Sequence, residues 1–98
     1  MKLRELFEAV KEKSLTKDQL ENYRDDLANL YALMKLEYAE LEKKEALYLL
    51  ASDAPNWTAK KVNWKCTKEG QRMIELKNYM GGTNKVIDSL RSRLYSIY

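Results

Sequence analysis

Trp57 and Trp64 stand seven residues apart, and Lys60, Lys61, Lys65, Lys68 and Arg72 crowd around them with Glu69 in opposition. Seven residues along a helix return to nearly the same face. If residues 58–65 are helical, both indoles therefore share one face beside a basic rim. Two chemistries suit such a patch. Aromatic platforms flanked by cations hold single-stranded nucleic acid by base stacking and phosphate contact. Tryptophan and arginine are equally the preferred anchors of protein interfaces. A third reading is architectural, with both rings closing the end of a hairpin over Leu47, Leu50 and Val62. Trp57, Lys60, Lys61, Trp64, Lys65, Lys68 and Arg72 form the candidate partner-binding set.

The other reactive side chains argue against catalysis. The chain has no histidine, which removes the usual general base, the Ser-His and Cys-His nucleophile pairs and the commonest metal ligand. Glu37 with Glu40 and Glu42 with Glu45 have helical spacing, but di-metal bundle sites need Glu-x-x-His pairs facing the core; these glutamates read as a solvated face. Cys66 lies among Lys61, Lys65 and Lys68, an environment that favours a thiolate, yet it has no base beside it and no second cysteine. Gly70, Gly81 and Gly82 match neither the dinucleotide nor the P-loop spacing. The expectation is a non-enzymatic protein without metal or cofactor.

The elements that carry these residues follow from composition. With 98 residues, three glycines and one proline, the chain has few places to turn. It reads as one all-α domain of long helices. No apolar run approaches a membrane span, the N-terminus lacks a signal-peptide stretch, and the lone Cys66 forms no internal disulfide; a reducing cytoplasm is the expected location. The net charge of +3 divides unevenly: residues 17–56 hold five basic and nine acidic side chains, residues 57–98 nine basic and three acidic. Blocks of opposite sign in one small fold read first as two helices facing each other, with Asp26, Glu40 and Glu45 on one side and Arg72, Lys77, Arg91 and Arg93 on the other.

A short first helix is expected over about residues 2–13, with Leu3, Leu6, Phe7 and Val10 on one face. Thr16 and Gln19 spell a capping box, and Leu15 with Leu20 a hydrophobic staple. The second helix therefore starts at Lys17 and runs to about Ala51, about 50 Å at 1.5 Å per residue. Its seam is Leu20, Tyr23, Leu27, Leu30, Met34, Leu41 and Tyr48, interrupted by Glu37 and Lys44. Residues 52–66 form the apex, turning at Ser52-Asp53-Ala54-Pro55-Asn56. Thr67 caps a last helix over about 68–97, with Glu69 in its first turn. That helix carries Met73, Leu76, Met80, Thr83, Ile87, Leu90, Leu94 and Ile97 at heptad spacing.

Facing the two seams antiparallel, with paired positions summing to 117, sets Leu20 against Ile97, Leu27 against Leu90, Met34 against Thr83 and Leu41 against Leu76, and puts the apex near Thr58. Gly81-Gly82 keeps the heptad phase and reads as close approach of a neighbouring helix, for instance through Phe7, rather than as a hinge. Leu33, Leu36, Leu47, Leu49 and Leu50 fall outside the seam. With seven tyrosines (Tyr23, Tyr31, Tyr38, Tyr48, Tyr79, Tyr95, Tyr98) they leave surplus apolar surface on the apex half, which points to association. A homodimer completing a four-helix bundle is the expected assembly.

The stretch Trp64-Lys65-x-Thr67-x-x-Gly70-x-x-x-Ile74-x-Leu76-Lys77, followed by Ile87-x-x-Leu90-Arg91-Ser92-x-Leu94, resembles the end of small bacteriophage-encoded helical-hairpin proteins. The resemblance covers about the last third of the chain and carries no site residues. It implies a coiled-coil hairpin in the host cytoplasm that binds, and in some cases inhibits, a host or phage protein. The expected function is thus a protein-interaction module. The alternative is a nucleic-acid-binding accessory protein using the Trp/Lys apex.

Overall fold

The computed structural model describes residues 2–97. Met1, Tyr98 and the side chain of Ile97 lie outside the described residues, and with them the expected pairing of Leu20 with Ile97 and the seventh tyrosine. Four helices follow in chain order: α1 (Leu3–Ala9), α2 (Lys17–Ala51), α3 (Trp57–Lys65) and α4 (Lys68–Ile97). Among the described residues there is no strand. The long helices α2 and α4 pack against each other as a helical hairpin. No helix among the described residues is long and apolar enough to cross a membrane.

The chain forms two compact units, Met1–Leu33 with Met80–Tyr98, and Met34–Tyr79. In the first, Leu6 of α1, Leu20 and Leu27 of α2, and Ile87, Leu90 and Leu94 of α4 make one buried cluster, ringed by Leu3, Phe7, Val10, Leu15, Tyr23, Leu30 and Val86. The start of α2 is locally encoded. The Gln19 N–H donates to Thr16 Oγ1 at 3.2 Å and the Thr16 N–H donates to Gln19 Oε1 at 2.9 Å, a reciprocal cap that satisfies two otherwise orphaned donors. Leu15 packs on the cluster that holds Leu20.

Helix α1 is shorter than its apolar pattern suggests. It ends at Ala9 rather than near residue 13. Arg93 donates through Nη1 to the Val10 carbonyl at 2.7 Å and through Nη2 to the Glu12 carbonyl at 2.6 Å. Meanwhile the N–H groups of Lys11 and Glu12 turn to carbonyls only three residues back. The three-residue bonds tighten the chain as it leaves α1, and the Arg93 fork ties the following segment to α4.

In the second unit the buried apolar side chains are Met34, Leu41 and Leu49 of α2, Trp64 of α3, and Met73 and Leu76 of α4. Leu49, expected outside the seam, is therefore core. A straight helix drifts about 20° per heptad against a strict seven-residue repeat. By the end of α2 the inward line has moved onto Leu49 and leaves Tyr48 half-buried.

Beside the seams, Asn84 Nδ2 donates to Tyr31 Oη at 3.4 Å, and Arg72 Nε donates to Glu37 Oε2 at 2.6 Å. The expected charge pairing changes. Glu37 takes the role given to its neighbours, while Glu40 pairs with Lys43, Arg91 with Asp88, and Arg93 serves the end of α1.

Gly81 and Gly82 lie within a continuous α4. Position 82 faces Phe7, whose Cζ would be 3.9 Å from an added Cβ, an ordinary contact, whereas an added Cβ at position 81 meets nothing within 4 Å.

Candidate functional site

Helix α3 begins because Asn56 caps it. Its backbone is extended (φ −151°), and its Oδ1 accepts the Ala59 N–H at 2.8 Å. The signal is local, an Asn directly after Pro55 and before an apolar residue, and the same tetrad serves equally well as a turn. The helix ends in a tight corner into α4. The Trp64 carbonyl accepts from both the N–H and the hydroxyl of Thr67, at 2.9 and 2.6 Å, and Thr67 Oγ1 in turn accepts the Gly70 N–H at 3.0 Å. A Cβ on residue 70 would overlap the Trp64 carbonyl oxygen and lie 2.9 Å from Lys65 Cα. The corner therefore requires glycine for space, not for a left-handed backbone, since no glycine among the described residues has positive φ.

The two tryptophans stand at opposite ends of α3 and meet different surroundings. Trp64 is 4% exposed. Its Nε1 donates to Met73 Sδ at 3.3 Å, and its ring lies 5.3 Å from that of Tyr48 at a tilt of 55°. Trp57 is 57% exposed. Seven residues of helix carry it about 10 Å along the axis, so only the C-terminal indole reaches the side chains that α2 and α4 supply. Trp64 thus closes this end of the fold over Tyr48 and Met73, whereas Leu47, Leu50 and Val62, the expected floor, are exposed.

The cations divide as well. Lys61 Nζ sits 5.5 Å from the Trp57 ring centroid, a cation–π contact one helical turn apart. Lys65 and Lys68 are exposed and Lys60 is half-buried. Arg72 is held elsewhere: it forks onto Glu37 through Nε and Nη2, at 2.6 and 3.0 Å, and reaches Glu75 Oε1 through Nη1 at 2.5 Å. The hydrogen bond from Arg72 holds the Glu37 carboxyl below its ordinary range, and the carboxylate raises the guanidinium in return. The exposed part of the candidate set is therefore Trp57, Lys61, Lys65 and Lys68, with one indole rather than two.

Beside the candidate set lies the surplus apolar surface expected on the apex half, without Leu49, which is buried. Leu36, Leu47 and Leu50 of α2 and Val62 of α3 all face solvent, together with Ile74 and Tyr79 of α4. A shallow groove in this unit borders the candidate set, lined by Tyr38, Glu45, Trp64, Lys65, Met73 and Ile74 among others; it brings no nucleophile together with a base. Among the described residues no group of three or more Cys, Asp or Glu side chains is placed to hold a metal ion.

Fold and surface together define an all-α hairpin with an apolar, partly basic tip. Comparison of the chain with protein-family models, curated proteins and solved structures finds no match.

Proposed function

We propose that this chain is a non-enzymatic protein-interaction module whose contact surface is the apex half of α2 with α3. The observation that supports it is the solvent exposure of Leu36, Leu47, Leu50, Trp57 and Val62. Large apolar side chains gathered on one small unit, rather than scattered singly, mark association surfaces. Trp57 under the Lys61 ammonium has the character of an interface anchor. The resemblance to phage hairpin proteins extends the reading to a phage-encoded factor that binds or inhibits a host or phage protein in the host cytoplasm.

The test is capture from a bacterial lysate with and without nuclease, repeated with Leu47→Glu and Trp57→Ala. Capture that survives nuclease and is lost in these variants, with their helicity intact, supports the reading. Capture abolished by nuclease moves the assignment to the nucleic-acid alternative, for which the exposed Trp57 and Lys61, Lys65 and Lys68 would be the contact residues.

A further inference from the structure

Helix α2 carries a second heptad stripe on its solvent side, and that stripe is a charge palindrome. Its centre is Leu36, Glu40, Lys43 and Leu47, spaced four, three and four residues apart, all exposed. The same spacing continues along the helix to Leu33 and Leu50, both exposed. The resulting order, Leu-Leu-Glu-Lys-Leu-Leu, reads the same in apolar character from either end and inverts in charge about its midpoint. We propose that this stripe is a self-complementary interface on which a second copy of the chain docks antiparallel, with residues 40 and 43 at its centre.

The register follows from the pattern. Antiparallel coiled coils place an a position of one helix against a d position of the other, and a two-fold interface sets residue i on j and j on i. Leu36 then meets the second copy's position 47, Leu33 its position 50, and Glu40 its position 43, with each contact repeated by symmetry. Every apolar position meets leucine and every carboxylate meets an ammonium. The parallel alternative sets Glu40 against position 40 and Lys43 against position 43, like charge on like charge, which selects against it. Within one chain Lys43 Nζ already lies 3.5 Å from Glu40 Oε1, so docking would extend a formed ion pair into a ring of four alternating charges. This inference rests on the interaction-module reading and names the second copy as the occupant of its leucine face.

Sedimentation equilibrium of the full chain at micromolar to high micromolar concentration is expected to give twice the 11.6 kDa monomer mass. Leu36→Glu should raise the dissociation constant about 30-fold or more, with unchanged helicity by circular dichroism because the side chain is exposed. Glu40→Lys alone should weaken the dimer, and Glu40→Lys with Lys43→Glu should restore it, since the double exchange keeps the palindrome. Orientation is read by oxidation in a Cys66→Ser background: a mixture of Leu36→Cys and Leu47→Cys chains should cross-link to each other, and neither should cross-link to itself. A monomeric wild type at high micromolar concentration, or self-linking of Leu36→Cys, overturns the proposal. A monomer whose lysate capture still depends on Leu47 overturns it too, while leaving the interaction reading standing.

Discussion

Gly70 is the least replaceable small residue in the chain, because what it would strike is backbone. The Trp64 carbonyl oxygen that a Cβ would overlap is also the acceptor for both Thr67 donors. Making room means opening the corner and releasing those bonds. Gly70→Ala is expected to cost about 1–3 kcal/mol, the range for forced overpacking, whereas Gly81→Ala, in a helix interior with open space around it, should add about 0.5–1 kcal/mol. Urea denaturation of the two variants beside the parent measures both effects, which have opposite signs. At the same scale, the Glu37–Arg72 fork is a surface pair, its side chains 44% and 40% exposed, so Glu37→Gln should cost under about 1 kcal/mol at pH 7. The folded Glu37 titrates below the ordinary 4.5. Its contribution is therefore complete above about that pH and is lost as the pH falls through the folded value. The difference between parent and variant should be present at pH 7 and vanish in strong acid; a difference that grows on acidification would contradict the pairing.

Helix ends and helix faces set the element scale. Caps at Thr16, Asn56 and Thr67 start α2, α3 and α4, each satisfying a backbone donor that the helix leaves open. Thr67 does more than cap, since its hydroxyl also donates to the Trp64 carbonyl; Thr67→Ala should cost about 0.5–2 kcal/mol, read as a lower melting temperature. The buried seam contributes more than any cap. Leu90 is 1% exposed within the cluster of Leu6, Leu20 and Leu27. Leu90→Asp places an unpaired charge there, and several kcal/mol is enough to unfold a small domain. Loss of far-UV helicity at 25 °C is the expected outcome. The same substitution at Leu36, on the outer stripe, should leave helicity intact, which distinguishes core from surface leucines on one helix.

For the whole molecule, the deciding matter is which solvent-facing groups are organised to meet a partner. The basic final third does not by itself make a nucleic-acid site: Arg72 is committed to Glu37 and Glu75, Arg93 to carbonyls of the segment after α1, and Trp64 to the interior. One exposed indole and three lysines remain. The expected outcome is no binding of a short single-stranded oligonucleotide tighter than micromolar at physiological salt, measured by fluorescence polarisation. Tight binding that weakens with salt at a log–log slope of about −0.7 per phosphate contacted, together with a loss of about 1–3 kcal/mol in Trp57→Ala, would promote the nucleic-acid reading over the protein one.

What the chain determined without its fold is the set of features that depend on near neighbours. The capping box at Thr16 and Gln19, the Thr67 cap and the heptad seams of α2 and α4 involve residues three to seven apart, so the helices and their buried faces were legible. The close approach expected at Gly81-Gly82 was not what the fold holds there: an added Cβ at position 82 would make an ordinary contact with Phe7, and one at position 81 would meet nothing. Tertiary structure decided whatever depends on residues distant in sequence. Arg93 reaches the Val10 and Glu12 carbonyls from across the fold, drift along α2 draws Leu49 inward, and Glu37 pairs with Arg72, 35 residues away in sequence. The tryptophans show the limit most plainly. Spacing placed both indoles on one face, but only the packing of Tyr48 and Met73 around the Gly70 corner determined that Trp64 would be core and Trp57 would remain in solvent.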